Sequence, residues 1–421
     1  MKNIRASNRT IKGSQLKCTN YPEEAKTGMR RNIIALAISA TVGLVLIGRP
    51  RAAAQDAPGA AEKNSGAGNA GVEWRLNSMK VGLLLDGYYS LNRNRPAERV
   101  NQLRNFDVSS HQFSLNMVKL ALESPAEPLG FRMDLGFGRA FELVHASEAA
   151  SQTLRYLLQA YVSYRPAQGG GLTLDLGKFV TAAGAEVIET HSNWNYSRSL
   201  LFTLAVPYYH FGARATLPLG RHLTGGVALV NGWNNVDDNN TGKTLGLYGT
   251  LTGSGVSWTH CYYGGPERSG VNEGWRHLYD TTVLLAPHSR ASMYVNFAYG
   301  REGTASVLRN GGQEWLAGGR WVGVAGAARL TLNRWFSVAP RLEWFHDPDG
   351  LSTGARQKLK EVTLTGEVKL APGVITRVEF RRDWSSQPFF ESGTGGPLSK
   401  SQSTVLVGLL AYFGMDARVG K

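Results

Sequence analysis

Histidine, serine and acidic side chains that could carry chemistry are present, but their spacing completes no known site. His191 precedes Ser192 and lies close to Ser197 and Ser199, so a hydrolase built on serine, histidine and an acid is one hypothesis. The histidines show no HxxxH or HExxH spacing, and no Walker, GxSxG or dinucleotide-binding glycine pattern occurs. We therefore predict no catalytic residue, no cofactor and no metal, with a hydrolase as the alternative class.

One segment has the spacing of a calcium loop. Asp237, Asn239, Thr241 and Gly242 occupy the right positions, but the twelfth position is Tyr248 instead of a bidentate glutamate. Asparagine and aspartate also favour turns, because their side chains bond to the nearby backbone. The segment is therefore predicted to be a polar surface turn.

Any functional site must be positioned by secondary-structure elements. The sequence indicates such elements as short stretches of alternating apolar and polar residues between Met79 and Phe413. About sixteen such stretches occur, and the breaks between them are alternately short and long. In the first stretch, Val81 and Leu83 oppose Lys80 and the later Asp86. A period of two with apolar side chains on one face predicts strands between lipid and water. The sequence predicts an all-β fold, a closed antiparallel transmembrane β-barrel with short periplasmic turns and long outer loops.

A soluble sandwich or propeller also has alternating strands, but two features favour the membrane barrel. The polar faces carry many charges, whereas the opposite faces carry almost none. Aromatic residues also gather at the strand ends, where interfacial girdles form: Tyr89, Phe137, Tyr164, Tyr208, Trp233, Trp335, Trp344, Trp384 and Phe413. A barrel of about 16 strands is wide enough to leave an aqueous channel.

The N-terminal region predicts export. Arg30 and Arg31 precede an uncharged apolar run over residues 32–48, and Ala52 to Ala54 supply the small residues of a signal-peptide cleavage site. We predict an upstream extension and cleaved signal peptide over residues 1–54, with Met29 as the start, and a flexible periplasmic lead-in over 55–78. The alternative is an uncleaved membrane anchor.

Composition limits the partners. The chain has 421 residues, 46 basic and 32 acidic, for a net charge of +14. Residues 1–54 hold ten of the basic and two of the acidic residues, so their removal leaves about +6. No basic helix or aromatic-basic motif remains, and nucleic acid is not expected as a partner. Cys18 lies in the removed segment, which leaves Cys261 alone and no disulfide framework.

The third outward connection, residues 180–206, differs from the other loops. It combines Glu186 and Glu189 with the apolar run Leu200, Leu201 and Phe202. Apolar loop side chains need a surface to pack against, and the nearest one is the barrel interior. We predict that this loop folds inward and narrows the channel. The alternative is a loop packed over the rim or against a neighbouring subunit.

The charged residues of the polar faces predict the lining of the pore. Glu186 and Glu189 are expected to face Arg132, Lys178 and Arg214 across a constriction, or else to pair with Arg198 within the loop. Opposed charges across a narrow opening would create a transverse field that orients polar solutes. Further lining residues are predicted to be Asp134, Asp175, Arg341, Glu343, Glu367, Lys369, Arg377, Glu379 and Arg381. Neither sign predominates, so ion preference is not predicted.

Several motifs resemble the OmpL-like β-barrel porin-2 family. They occur over residues 101–107, 130–136, 174–181, 193–199, 207–210 and 230–235. The resemblance is dense between Val81 and Glu267 and weaker afterwards. It implies an outer-membrane channel, but neither a substrate nor catalytic residues. One departure is that residues 414–421 follow Phe413, whereas such barrels usually end on the aromatic that the assembly machinery recognises.

The combined expectation is a porin of the bacterial outer membrane that lets small hydrophilic solutes diffuse passively, and not an enzyme. The alternatives are an outer-membrane barrel hydrolase and a structural or adhesive barrel with a plugged lumen. The expected partners are outer-membrane lipid, the barrel-assembly machinery through the C-terminal strand, and the solutes. A homotrimer is expected only by analogy with wide porins.

Overall fold

The computed structural model describes residues 79–148, 153–309, 312–393 and 395–414. The predicted signal and lead-in, residues 1–54 and 55–78, lie outside the described residues, as does the tail after Gly414. Among the described residues, no helix is long and apolar enough to cross a membrane.

The described part of the chain is dominated by strands that alternate in direction. Their bounds are β1 Lys80–Asn92, β2 Gln112–Ser124, β3 Leu129–Phe137, β4 Leu157–Tyr164, β5 Thr173–Val180, β6 Tyr209–Pro218, β7 Leu223–Val230, β8 Thr244–Gly253, β9 Val256–Gly265, β10 Arg276–His288, β11 Ala291–Glu302, β12 Ala305–Arg309, β13 Gly312–Leu316, β14 Gly319–Thr331, β15 Phe336–Asp347, β16 Gln357–Ala371, β17 Val374–Ser385 and β18 Ser401–Phe413. Short helical segments are α1 Arg139–Val144, α2 Leu200–Leu204 and the 3₁₀ turns Thr153–Tyr156 and Thr190–Ser192.

Sixteen of the described strands close into one antiparallel barrel, which confirms the predicted fold. Strands β12 and β13 form a separate hairpin within the connection between β11 and β14. The barrel closes where β1 pairs with β18, and Leu83 lies opposite Phe413 in that register. No open edge remains in the barrel, because each of its strands has two hydrogen-bonded neighbours.

The connections divide the barrel into two rims. Seven short turns, such as those between β8 and β9 and between β16 and β17, lie at the rim that also holds the start of β1 and the end of β18. Eight long connections lie at the other rim, which we call the outer rim. The connection between β5 and β6 is the third outer loop, residues 181–208.

The alternation of side chains separates an apolar outside from a polar inside. In β16, Glu361 and Thr363 are buried, whereas Val362 and Leu364 are exposed on the outward face. The same pattern holds in β17, where Arg377 and the other inward side chains are buried. Exposed apolar side chains belong on a lipid-facing surface, and the predicted two-faced strands are confirmed.

Candidate functional site

The third outer loop is held by many hydrogen bonds, some of them from its own side chains. The Arg198 guanidinium donates hydrogen bonds to the carbonyls of Val187 (2.9 Å), Tyr196 (2.6 Å) and Ile188 (2.7 Å). Ser199 caps the short helix α2, because its hydroxyl accepts a bond from the Phe202 amide at 2.9 Å. The residues of the loop itself therefore hold it in a compact shape. The Arg198 guanidinium binds backbone carbonyls that would accept from backbone amides in a helix or sheet.

Three arginines on the inward faces of β15 and β17 hold the backbone of this loop. Arg341 donates to the Ser197 carbonyl at 2.7 Å. Arg377 donates to the carbonyls of Thr190 (2.8 Å) and Asn195 (3.0 Å), and Arg381 donates to the carbonyl of Arg198. Since all three guanidinium groups are fully buried, each needs these carbonyl acceptors in addition to its carboxylate partners.

Carboxylates of the same side accept from the loop. Glu379 accepts bonds from the amides of Tyr196 (2.6 Å) and Ser197 (3.0 Å). Asp86 of β1 accepts from the Tyr196 hydroxyl at 2.6 Å and from Thr190. We call the inward faces of β15, β16 and β17, with their loop contacts, the packed wall.

The two loop acids pair differently from the prediction. Glu186 lies 2.8 Å from Arg341 and also accepts the Ser199 amide at 2.6 Å. Glu189 forms an ion pair with Lys119 of β2. Burial alone would raise the pKa of Glu189, but Lys119 and the nearby Arg132 outweigh burial and lower this pKa. Glu189 therefore stays ionised in neutral solution.

The expected partners of the loop acids mostly bond elsewhere. Lys178 lies 3.5 Å from Glu148 and over the ring of Tyr209, and Arg214 lies 2.7 Å from Asp175. The prediction that Glu186 and Glu189 face Lys178 and Arg214 across a constriction stays a prediction. The ion-pair partners of the two acids are Arg341 and Lys119. Arg198 bonds to carbonyls of the loop, and no direct ion pair joins it to either loop acid among the described contacts.

A second part of the inward face is less covered. Arg132 keeps 24% of its side chain exposed beside Glu123, and Arg214 keeps 16%. Tyr161, Thr216 and other inward residues nearby are only half-buried. We call the inward faces of β3 to β7 the open wall.

The remaining predicted lining residues divide between these regions. Asp134 pairs with Lys119 and Arg132, and Asp175 pairs with Arg214, so both belong to the half of the barrel that contains the open wall. Glu343 and Glu367 pair with arginines of the opposite side, Arg341 and Arg377. Lys369 is exposed near the short-turn rim of β16.

Sequence reasoning missed Lys119, which connects Asp134 at 2.9 Å with Glu189 of the loop. The available signal was its isolation between Val118 and Leu120 in an alternating stretch. The pairing of β2 with β1 has a register shift at Asp86 and Gly87 of β1. This shift interrupts the alternation of apolar and polar residues in β2, so the inward position of Lys119 is hard to recognise from the sequence.

His191 does not complete a hydrolytic site. Its Nε2 lies 3.2 Å from the Ser192 hydroxyl, but its Nδ1 has no hydrogen-bond partner among the described residues. The ring stacks on Tyr412 with centroids 4.8 Å apart. Burial, with help from Lys119 and Arg377 and against the opposing effect of Glu189, lowers the pKa of His191 to about 4. A neutral, buried imidazole without an orienting acid lacks the arrangement that activates a serine.

The calcium-like segment folds as a set of turns. The Asp238 carboxylate accepts the Asn240 amide at 3.0 Å, and the Asn240 side chain accepts the Gly242 amide at 2.9 Å. Within the described residues, no group of three or more histidine, cysteine, aspartate or glutamate side chains is placed to hold a metal ion.

A closed barrel with an apolar outside, a charged inside and long loops at one rim defines an outer-membrane barrel of the porin class. The model of the family described as "Putative beta-barrel porin-2, OmpL-like" matches residues 78–413. The chain belongs to this family, and its location is the bacterial outer membrane. The resemblance noted from the motifs is thereby confirmed. A comparison with curated protein sequences gave no match.

Solved outer-membrane proteins share the fold at low sequence identity. The trimer form of OmpT from Vibrio cholerae has a TM-score of 0.51 and 10% identity, with 80% of this chain and 99% of that chain covered. The outer membrane channel DcaP of Acinetobacter baumannii gives 0.51 and 11%, covering 80% and 97%. An anion-selective porin from Comamonas acidovorans gives 0.50 and 11%, covering 80% and 99%. At such identity, these similarities establish the barrel fold and, together with the family, support a porin role.

Proposed function

We propose that the protein is a porin through which small hydrophilic solutes diffuse passively, in a lumen that the third outer loop narrows. The observation that carries this proposal is the bonding of the loop backbone to Arg341, Arg377 and Arg381 of the packed wall. The loop also contacts Asp86 of β1, Lys119 of β2 and Asp280 of β10, but its arginine anchors all lie on the packed wall. We therefore infer that solutes pass along the opposite wall. No catalytic step is part of the proposal.

The path that we propose follows the open wall. Arg132 and Arg214 keep part of their side chains exposed, whereas their partner carboxylates Asp134 and Asp175 are nearly fully buried. Because the arginines are partly exposed and their carboxylate partners are shielded, the electrostatic potential along the path is locally positive. The carboxylate of Glu123, at the periphery, offsets part of this potential. The transverse field then runs between these arginines and the loop, where the charge of Glu189 is partly neutralised by its ion pair with Lys119.

Planar-bilayer recording of the purified full-length protein tests the proposal. We expect ohmic, water-filled channels, and liposome-swelling measurements should show uptake of small sugars that falls steeply with solute size. A silent bilayer at high protein loading would instead establish a barrel without a conducting lumen.

A structural barrel with a plugged lumen is the second candidate, and one observation favours it. The third outer loop is buried almost throughout, and Phe106 of the first outer loop packs against Phe202 with ring centroids 5.6 Å apart. Two loops that pack on each other inside a barrel can fill its outer half. Sugar uptake in the liposome assay separates the two functions, because a plugged barrel admits none.

A homotrimer also belongs to the proposal. Its support is the shared fold with a solved outer-membrane protein that has a trimer form. Native electrophoresis of the protein extracted in mild detergent should give a band at three times the monomer mass; a monomeric band in every mild detergent would refute it.

A further inference from the structure

One side of the outward surface carries positive charge, and the rest of the barrel wall does not. Exposed outward-facing cations lie on β11, β14, β16 and β17, which with β15 are consecutive neighbours in the barrel. They are Arg301, Arg320, Lys358, Lys360 and Arg382, which we call the basic face. Among the described barrel strands, no other exposed outward position holds lysine or arginine.

The basic face lies at one depth. Arg301 and Arg382 lie near the ends of their strands, and Arg320, Lys358 and Lys360 lie near the starts, so all five are at the outer rim. Five neighbouring strands spaced about 4.8 Å apart make a patch about 20 Å wide. Because the outer rim faces the cell exterior, this patch is at the level of the outer-leaflet headgroups.

Aromatic side chains mark that level. Lys360 lies directly opposite Trp344 on one neighbouring strand and Trp384 on the other. The Arg382 guanidinium lies 5.0 Å from the centroid of the Trp384 ring. Tryptophan is enriched at the boundary between hydrocarbon and headgroups. The five cations are therefore held beside lipid headgroups and not beside bulk water.

The side chains of the basic face form no ion pair among the described residues, although the Asp349 carboxylate accepts the Arg320 backbone amide at 3.0 Å. Arg301 and Arg320 are directly opposite each other in the register of β11 and β14. Like charges in this position repel, with Cβ atoms about 5 Å apart. Five clustered cations without carboxylate partners among the described residues favour an external anion.

We propose that the basic face binds the phosphate groups of a phosphorylated glycolipid in the outer leaflet. Guanidinium groups bind phosphate through paired hydrogen bonds, and lysines add point charges. The acyl chains of the same lipid then cover the exposed apolar side chains beneath, Phe297 and Val362 among them. Each cation near an anionic lipid surface strengthens binding about fivefold, from about 1 kcal/mol per residue.

Synthetic bisphosphorylated lipid A and the same lipid without phosphates are the probes. Binding to the purified full-length protein is measured by native mass spectrometry in a detergent with EDTA. We expect binding to the bisphosphorylated lipid and at least tenfold weaker binding without phosphate. The K358Q/K360Q/R382Q variant should lose about 100-fold, from about fivefold per cation.

The matched control is R290Q/R334Q, which removes two exposed cations from short turns of the same half of the barrel. This variant should bind like the unchanged protein. Equal binding of the dephosphorylated lipid, an equal loss in the control, or binding that requires a divalent cation would each overturn the proposal. A change of oligomeric state in the triple variant without loss of lipid would assign the face to a second copy of the chain. Heat-modified electrophoretic mobility shows whether each variant is folded.

Discussion

The packed wall and the open wall are built from strands of the same kind, but they differ in what covers them. On the packed wall, Arg341 and Arg377 are fully buried, and each bonds to a carboxylate and to loop carbonyls. On the open wall, Arg132 and Arg214 bond to carboxylates of their own or adjacent strands and stay partly exposed. The difference shows that an inward charge can anchor a loop or face the lumen, depending on whether a loop reaches it.

The strongest test of this difference removes one arginine from each wall. R377A deletes the bonds to the carbonyls of Thr190, Asn193 and Asn195. Among the ion pairs of the described residues, it leaves Glu367 the one with Arg329. Breaking such a buried pair costs about 3–5 kcal/mol. We expect lost protection of loop amides in hydrogen exchange and a higher channel conductance.

The matched change on the open wall is R214A, which breaks a partly exposed pair. It should leave the protection of residues 181–208 unchanged. Equal loss of loop protection in both variants would remove the distinction between the two walls. R377K retains the charge but loses the planar fork, and should give an intermediate result.

The second test changes pH. The His191 pKa of about 4 is below its value of about 6.5 in a released loop, so the released state binds more protons between these pH values. The contribution of His191 to docking is complete above about pH 6.5 and is lost as pH falls towards 4. The change is at most about 1.4 kcal/mol per pH unit, or about 3 kcal/mol in total.

Hydrogen-exchange protection factors of the loop, measured between pH 7 and 4, check this expectation. The loop of the unchanged protein should become less protected as pH falls. His191→Gln should remove most of the dependence between about pH 6.5 and 5, where carboxyl groups with ordinary or lowered pKa values are ionised in both states. A dependence that survives the substitution would point to another titrating group.

The third test crowds the packed wall from β18. A Cβ added at Gly408 would overlap the ring of Tyr196, whereas one added at Gly249 meets its nearest atom, the Thr224 carbonyl oxygen, at 3.6 Å. Overpacking typically costs about 1–3 kcal/mol. G408A should displace the loop and raise conductance, and G249A should not. Unchanged conductance in G408A would mean that the loop does not limit the current.

The smallest expected effect is on ion preference at the open wall. The R132Q/R214Q variant removes two partly exposed cations, each worth at most about 1 kcal/mol at such exposure. We expect the reversal potential in a salt gradient to shift towards cations, by less than about fivefold in permeability ratio for each arginine removed. A shift towards anions would contradict the proposed path.

The fold could be predicted because a barrel strand needs only local information. Alternation in β16 or β17 follows from lipid on one side, and it also identifies Arg377 and Glu379 as inward residues. The contacts that the third outer loop makes with these residues could not be predicted. Arg377 bonds to residues 182 to 187 positions away, and nothing in the local pattern of either segment encodes that contact. Lys119 was missed for the related reason that a register shift interrupts its strand.

The pairing of β1 with β18 sets the order in which this molecule can be completed. Tyr196 and His191 of the third outer loop contact Gly408 and Tyr412, which belong to β18, the last of the sixteen barrel strands in chain order. Until β18 pairs with β1, the sheet has two free edges, and the loop lacks its contacts with Gly408 and Tyr412. The loop can therefore dock fully only after β18 has paired with β1. A chain arrested before β18 would have a loose loop and an unsealed wall at the same time.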